Sequence, residues 1–301
     1  MRTSNLRFIA KKSTIMKTNS NYAFFGTPMV AVWVLEEMEK AEMLPKVIVT
    51  APDRPAGRGM QLTESEVKVW AREHNIPILQ PEKLDAAFRT EISAYECEVF
   101  VVAAYGKILS KRVLSLTPHG CINVHPSLLP KYRGAAPIEG QILSDEKEVG
   151  VSIMLLDEGM DTGPVLAQER IEISGWPVGR TELSEILARA GGCSLASVLP
   201  GWVAGTIPAT PQDNTLVTFT RKIEKEDGLI DPTGPARENY LKYCAYEGWP
   251  GLYFFVERNG IKIRVKITKA SYRDDAFVIE QVIPEGKREM PYQTFLASIA
   301  D

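Results

Sequence analysis

The chain has 301 residues, of which 45% are hydrophobic and 24% charged, and its formal net charge is −3. This composition excludes a disordered or collagen-like chain, and the length exceeds that at which one hydrophobic core usually stops growing, so we expect two domains. The net negative charge excludes a general attraction to nucleic acid, so such a partner would have to meet a local basic patch.

The opening residues are rich in Arg, Lys, Ser and Thr, and no Asp or Glu precedes Glu36. A transit peptide has this composition. The alternatives are a disordered tail or an upstream start codon with Met16 as the true start, and we favour these because chain termini are usually untethered. We therefore expect residues 1–20 to be a disordered extension of a cytoplasmic protein, whereas a transit peptide would indicate a mitochondrial or plastid protein.

Short apolar runs alternate with stretches of helical periodicity over residues 21–204. This alternation predicts βαβ units and an α/β domain with a doubly wound, parallel sheet. The first run ends at Gly26-Thr27-Pro28, which lacks the glycines of a dinucleotide-binding turn, so no nicotinamide cofactor is expected. The predicted strands are 22–25, 47–50 and 99–104, and the predicted helices are 30–38 and 66–74.

A loop rich in Pro, Gly and Arg is predicted at 51–65, and loops of this length in a compact domain are usually functional. Its basic residues Arg54 and Arg58 can contact phosphates, while the glycines let the loop enter a groove or approach an unpaired acceptor end. The alternative is a solvated surface loop.

No apolar run approaches the roughly 18 residues that cross a bilayer, so no membrane contact is expected.

The pattern changes after residue 204. Residues 205–222 are turn-rich and aperiodic, which is typical of a linker, and residues 223–301 are β-dominated, with a hairpin predicted around Arg258-Asn259-Gly260. Beyond that turn, Lys262, Arg264 and Lys266 recur with period two, which predicts a basic stripe that fits a phosphate backbone. The alternative is an edge strand protected by lysines.

The four cysteines lie far apart without a C-x-x-C pair, and only three histidines are present. No metal site and no disulfide framework is therefore expected, and a reducing compartment fits best. Asn123 and His125 lie two residues apart, so their side chains share one face if this segment is extended, and Asp161 follows in an acidic, glycine-containing loop. Acyl transfer to an amine needs an oxyanion donor, an acid-base group and a group that positions it, which Asn, His and Asp can supply.

We expect Asp161 to raise the pKa of His125, so that the ring acts as a cation. On spacing alone, hydrogen-bonded strand-end residues without a catalytic role are the favoured interpretation. The longer segments Asn123-Val124-His125-Pro126-Ser127-Leu128-Leu129-Pro130 and Asp161-Thr162-Gly163 resemble the signature of folate-dependent formyltransferases, whose catalytic residues are an Asn, a His and an Asp. That family acts on several amines, so the signature indicates the chemistry and leaves the acceptor open.

Two further segments resemble methionyl-tRNA formyltransferases in particular. They are the arm Pro52-Asp53-Arg54-Pro55-Ala56-Gly57-Arg58-Gly59, which looks like the loop that these enzymes insert into tRNA, and Lys131-Tyr132-Arg133-Gly134-Ala135-Ala136-Pro137-Ile138. The resemblance implies a Rossmann-like formyltransferase domain and a smaller OB-like domain that binds tRNA. It also implies 10-formyltetrahydrofolate as formyl donor and initiator methionyl-tRNA as acceptor, in translation initiation. We expect a monomer without a metal.

The resemblance assigns site residues as follows. The catalytic residues are Asn123, His125 and Asp161; the folate site is formed by Tyr105, Gly106, Ile108, Leu109, Ser127, Leu128, Leu129, Pro130, Asp157 and Gly159; and the tRNA-binding residues are Arg54, Arg58, Arg133, Lys262, Arg264 and Lys266.

Two alternative functions stay open, and the sequence departs from the family pattern in one place. A formyltransferase acting on an amino sugar or nucleotide would lack the arginine arm and the second domain, and a noncatalytic RNA-binding relative would have lost Asn123, His125 or Asp161. The departure is at 273–276, where the family normally has more β-structure, so the second domain is expected to be shortened.

Overall fold

The computed structural model describes residues 21–56, 61–258 and 260–300. The predictions for residues 1–20 and for Arg58 therefore lie outside the described residues. The strands that precede the linker are β1 (Tyr22–Phe25), β2 (Val47–Val49), β3 (Arg54–Ala56), β4 (Gln61–Thr63), β5 (Ile78–Leu79), β6 (Val99–Val102), β7 (Cys121–His125), β8 (Arg133–Gly134), β9 (Val149–Leu155) and β10 (Val165–Ile171). The helices are α1 (Met29–Lys40), α2 (Glu66–Glu73), α3 (Ala86–Ser93), α4 (Lys111–Leu114), α5 (Pro137–Leu143) and α6 (Arg180–Val203).

The central sheet has the strand order β10-β9-β7-β6-β1-β2-β5. Five neighbouring strands, β7, β6, β1, β2 and β5, pair in parallel, and β9 and β10 extend the sheet beyond β7 in antiparallel fashion. The predicted α/β fold with a mainly parallel, doubly wound sheet is confirmed. The two antiparallel strands at one edge were not predicted, because an apolar run carries no signal of strand direction.

Both faces of this sheet are covered by helices. Alternate residues of β1 belong to separate cores: Phe24 packs with α1 and α6 on one face, and Phe25 packs with α3 on the other. A strand that is buried on both faces has no polar positions, which explains why its sequence is a continuous apolar run.

Helix α6 is the one helix among the described residues that is long and apolar enough to cross a membrane. It packs against α1, β9 and β10, and its Arg189 forms ion pairs with Glu36 and Glu37 of α1. Those contacts make α6 a core helix of the first sheet.

Among the described residues, the predicted loop at 51–65 and the linker both contain short strands that their composition did not predict. Strands β3 and β4 pair as an antiparallel ribbon within the predicted loop. The linker contains β11 (Phe219–Thr220), which pairs in parallel with β8, and Thr210 bridges Val165 of β10. The linker therefore pairs with the central sheet at Thr210 and with β8, which lies outside that sheet, at β11.

The elements after the linker are α7 (Ala236–Ala245), β12 (Tyr253–Arg258), β13 (Ile261–Arg273), β14 (Ala276–Pro284), β15 (Met290–Pro291) and α8 (Tyr292–Ala300). The four strands form a second, antiparallel sheet with the strand order β12-β13-β14-β15. Its sheet and hairpin agree with the predicted β-rich second part, and the strand β13 lies between β12 and β14. Residues 261–264 of β13 pair with β12 alone, and pairing with β14 begins at Val265, so the edge-protection interpretation of the basic stripe stays a prediction. At the departure, Asp274 and Asp275 both have positive φ and form a tight turn between β13 and β14.

Candidate active site

A cavity of about 700 Å³ opens in the first part of the chain, between β7, the loop after β6, the loop after β9 and helix α5. Asn123, His125 and Asp161 all line it. In doubly wound sheets, ligands bind beyond the carboxyl ends of the parallel strands, and β6 and β7 both end at this cavity. The structure therefore brings the three predicted catalytic residues to one concave site.

Strand β7 explains how Asn123 and His125 come to share the cavity. The strand pairs with β6 on one side and β9 on the other, so its backbone is fixed in register. Alternate side chains then point to the same face. The side chain of Asn123 makes no hydrogen bond with the residues that the structure describes, so its amide is free to donate into the cavity.

His125 is 4% exposed, and its two ring nitrogens face oxygen atoms. Nε2 lies 3.2 Å from the carbonyl oxygen of Tyr132, and Nδ1 lies 3.7 Å from Oδ1 of Asp161. A carbonyl oxygen only accepts, so Nε2 carries a hydrogen in this arrangement. In the neutral ring, Nδ1 is then a free acceptor that faces the carboxylate across a gap longer than a hydrogen bond.

Burial lowers the pKa of His125, against the opposing effects of the Asp161 charge and the Tyr132 carbonyl. The expectation of a raised pKa was wrong, because the motif reveals the neighbouring carboxylate but not the depth at which the ring is buried. The ring is therefore neutral near pH 7, a state in which it can accept a proton.

Asp161 is held by backbone and side-chain groups from two other segments. Its Oδ2 accepts a hydrogen bond from the amide of Gly134 at 2.8 Å, and its own carbonyl oxygen accepts one from Nε2 of Gln212 at 2.8 Å. Its φ is +53°, a region that non-glycine residues adopt uncommonly and that often occurs at functional sites. Gly134 is required here, because a Cβ on it would lie 2.2 Å from the carbonyl oxygen of Thr220.

The predicted folate residues fall into two groups. Those that line the cavity are Tyr105, Gly106, Ile108, Leu109, Asp157 and Gly159. Those that do not are Ser127, Leu128, Leu129 and Pro130, and their assignment to a folate pocket is corrected.

The segment 127–130 instead supports the strand that carries His125. The Oγ of Ser127 donates to the carbonyl of Lys131 at 2.7 Å, and the buried Oγ of Ser152 on β9 donates to the carbonyl of Ser127 at 2.6 Å. Ser152 also accepts from the amide of Leu129 at 3.0 Å. These side chains are occupied within the fold, which the motif alone did not reveal.

Arg133 was predicted to contact tRNA, and this is corrected too. The residue is 3% exposed. Its guanidinium donates to Oε1 of Gln212 at 2.7 Å and to Oδ1 of Asn214 at 2.9 Å. Arg133 therefore connects the linker to the catalytic segment and is not available to a phosphate.

Among the described residues, the other predicted tRNA contacts are Arg54, Lys262 and Lys266, which are exposed, and Arg264, which is partly buried. Arg54 is exposed on the ribbon β3–β4. On β13, the ammonium of Lys262 lies 4.3 Å from the centre of the Phe255 ring, and the guanidinium of Arg264 lies 3.8 Å from that of Tyr253. No carboxylate among the described residues forms an ion pair with Lys262, Arg264 or Lys266, so the stripe keeps its positive charge.

Two residues at the site were missed. Gln212 donates to the carbonyls of Asp161 and Gly163 and accepts from Arg133, so it fixes the Asp161 loop to the linker. Nothing in a turn-rich stretch singles it out. Glu139 lines the cavity, and burial raises its pKa. Its position in the first turn of a helix, directly after the catalytic motif, could have indicated from the sequence that it belongs to the site.

Comparison with known proteins gives consistent matches. Residues 20–191 match the family model described as Formyl transferase. The methionyl-tRNA formyltransferase of Chloroflexus aggregans is 45% identical over 299 residues, which cover 92% of this chain and 96% of that protein.

Among solved structures, the methionyl-tRNA formyltransferase from Clostridium thermocellum is similar with a TM-score of 0.58 and 15% identity, over 88% of this chain and 98% of that one. An N-formyltransferase from Helicobacter canadensis, in complex with folinic acid and dTDP-3-aminofucose, is similar with a TM-score of 0.59 and 19% identity, over 86% and 94% of the two chains. At these identities the structural likeness establishes the fold alone.

Proposed function

The chain belongs to the methionyl-tRNA formyltransferases, enzymes that transfer a formyl group to the amino group of methionyl initiator tRNA, and we propose that its donor is 10-formyltetrahydrofolate and its catalytic residues are Asn123, His125 and Asp161. The family uses folate-derived formyl donors. The observation that carries the proposal is the meeting of these three side chains in one cavity of about 700 Å³.

The cavity fits a folate in size and chemistry. Its volume lies within the range of roughly 300–1,000 Å³ that is usual for small-molecule sites. Tyr105 lines it with a buried hydroxyl that has no hydrogen-bond partner among the described residues. Ile108 lines it with a side chain that is 92% exposed, which a bound ring system would cover. An unpartnered polar atom and an uncovered apolar side chain are features that a ligand would complete.

Each of the three residues has a distinct chemical role in the proposal. The methionyl amine attacks the formyl carbon, and the amide of Asn123 donates a hydrogen bond to the oxygen on which negative charge develops. Nδ1 of His125 takes the proton that the amine loses. The imidazolium can then donate to both Asp161 and the Tyr132 carbonyl, and it returns the proton to the nitrogen of the donor as the old carbon–nitrogen bond breaks.

We assign the arm and the second sheet to the tRNA. Arg54 stands exposed on the ribbon, where it can contact a phosphate near the acceptor end. The β13 stripe adds three cations beside the aromatic rings of β12, and such a surface combines phosphate contacts with stacking platforms. This division places the donor in the first part of the chain and most of the tRNA contacts outside the cavity.

The rival acceptor is an amino sugar, because the Helicobacter canadensis structure has the same fold and holds dTDP-3-aminofucose. Purified protein with 10-formyltetrahydrofolate should formylate charged initiator tRNA and leave an amino sugar nucleotide and glycinamide ribonucleotide unchanged. Preferential formylation of either small amine would overturn the assignment.

We further propose that the enzyme is cytoplasmic and acts as a monomer. Sedimentation of the purified protein tests the oligomeric state.

The basic stripe leads to a prediction on the salt dependence of tRNA binding. Replacing Lys262, Arg264 and Lys266 together with alanine should weaken binding and make its salt slope shallower by about 0.7–0.9 for each phosphate that is no longer neutralised. The measurement is tRNA affinity at several salt concentrations. Lys269→Ala is the matched control on the same strand, since Lys269 is already paired with Glu280 at 2.9 Å. Superimposable slopes for wild type and triple variant would contradict the tRNA assignment of the stripe.

A further inference from the structure

The active-site cavity has two kinds of wall. The loops after β6 and β9 form the wall that we assign to the folate, and they contribute Tyr105 and Asp157. Helices α5 and α6 form another wall, whose charged side chains are Glu139 and Arg180. With the donor bound against the loops, the side of the helices is left for the amine that attacks it.

Glu139 is a partly buried carboxylate without a cationic partner. Among the described residues, no Lys, Arg or His forms an ion pair with it, and its own backbone amide is the one group that donates a hydrogen bond to it. Arg180 is directed elsewhere, since its Nε donates to the carbonyl oxygen of Glu247 at 3.1 Å. Burial raises the pKa of Glu139, against the opposing effects of that amide and of the Arg180 charge. Because water solvates this carboxylate incompletely, a cation that binds beside it stabilises its charge.

Helix α5 is bonded to the segment that carries the proposed base, which fixes the position of Glu139. The side chain of Gln141 is 1% exposed, and its Nε2 donates to the carbonyl oxygens of Pro126 and Pro137 at 2.8 and 2.9 Å. Pro126 follows His125 directly in the chain. The helix and the base therefore keep a constant relation, as a residue that positions a substrate requires.

The acceptor supplies a cation of the right kind. An α-amine has an ordinary pKa of about 7.7–8.0, so much of it is protonated near pH 7. We propose that Glu139 binds the methionyl amine: its carboxylate pairs with the ammonium group and, after the proton is lost, accepts one N–H of the neutral amine while the lone pair faces the formyl carbon. This inference rests on the proposed function, because it takes the formyl acceptor to be an amine bound in this cavity.

The simpler role for Glu139 is structural, since an acidic residue in the first turn stabilises a helix. Glu182 offers a matched comparison, because each of the two is the third residue of its helix, and Glu182 is exposed and lies outside the cavity lining. Glu139→Gln and Glu182→Gln remove the same charge from equivalent helix positions. If helix stabilisation is the whole role, both variants lower the melting temperature alike and neither changes the preference for a ligand.

The test compares the affinity of the enzyme for methionyl-tRNA with its affinity for the same tRNA charged with the desamino analogue of methionine. Binding is measured without folate, at a pH below the pKa of the amine. Wild type should prefer methionyl-tRNA, and Glu139→Gln should reduce this preference by about 5- to 10-fold, because a neutral hydrogen bond replaces a charged one. Glu182→Gln should retain the preference. Uncharged tRNA should bind equally to all three proteins, which shows that the variants are folded.

Equal affinity of wild type for the two charged tRNAs would overturn the amine subsite, and this comparison requires no variant. A preference that Glu139→Gln leaves intact would overturn it as well. So would an equal reduction in Glu182→Gln, since that would indicate general electrostatic attraction. Formyl transfer is assayed separately. Absence of transfer, together with a preference for the amine that depends on Glu139, would overturn the proposed reaction and leave the amine subsite standing.

Discussion

Asn123→Ala should lower the turnover number by about 100- to 1000-fold, the usual loss when one oxyanion donor is removed. Its amide is free of partners among the described residues and lines the cavity beside His125. The oxygen gains negative charge only during attack, so the missing hydrogen bond is one that strengthens in the transition state. Single-turnover formylation of charged initiator tRNA at saturating donor measures this loss directly.

The same variant should bind both substrates almost as well as wild type. Removing an interaction made chiefly in the transition state lowers kcat and kcat/KM together, whereas removing a ground-state contact raises KM. A raised KM for the donor at unchanged turnover would show that Asn123 binds the folate and does not stabilise the oxyanion. Turnover within about threefold of wild type would remove it from the reaction.

The sequence was most informative where function and local pattern coincide. The shared face of Asn123 and His125 was predictable from their two-residue spacing, which requires only an extended backbone, although 121–125 was not among the predicted strands. The mainly parallel sheet was predictable from the alternation of buried runs with helices, since each run is too apolar to have a solvent face. In both cases, neighbouring residues were sufficient to predict the result.

Prediction failed where the outcome depends on residues far apart in the chain. Arg133 belongs to a basic segment, but its guanidinium donates hydrogen bonds to Gln212 and Asn214 of the linker. Leu129 belongs to the family signature, yet its amide is bound by Ser152 of β9, so the segment is structural. Composition does not specify such long-range partners, because they follow from how the strands are ordered in the sheet.

The prediction of a raised pKa for His125 failed for the same reason, and the error changes the mechanism. Burial lowers the pKa of the ring, whereas the Asp161 charge and the Tyr132 carbonyl raise it, and burial, the largest of the three effects, depends on the packing of several elements. A cationic ring would stabilise the oxyanion directly. A neutral ring accepts the proton of the amine and needs Asp161 only after it has become charged.

His125→Ala should lower turnover by about 100- to 10,000-fold, the usual contribution of a positioned acid-base group, with tRNA affinity little changed. The pH dependence of single turnover identifies the role. The rate requires both the neutral amine and the neutral imidazole, so in wild type it should fall as pH falls through the amine pKa. The fall should steepen, from first to second order in proton concentration, below the pKa of His125, which lies under the ordinary value of about 6.5.

Asp161→Asn should move that steepening to lower pH, because the carboxylate is the charge that opposes the effect of burial on the pKa of His125. It should also lower the plateau, since the imidazolium formed during attack loses its partner 3.7 Å away. His125→Ala should show the first-order fall alone, and added imidazole should restore part of its activity if the fold is intact. A rate that increases on acidification would reverse the assignment, because it would mean that the reactive form of His125 is the cation.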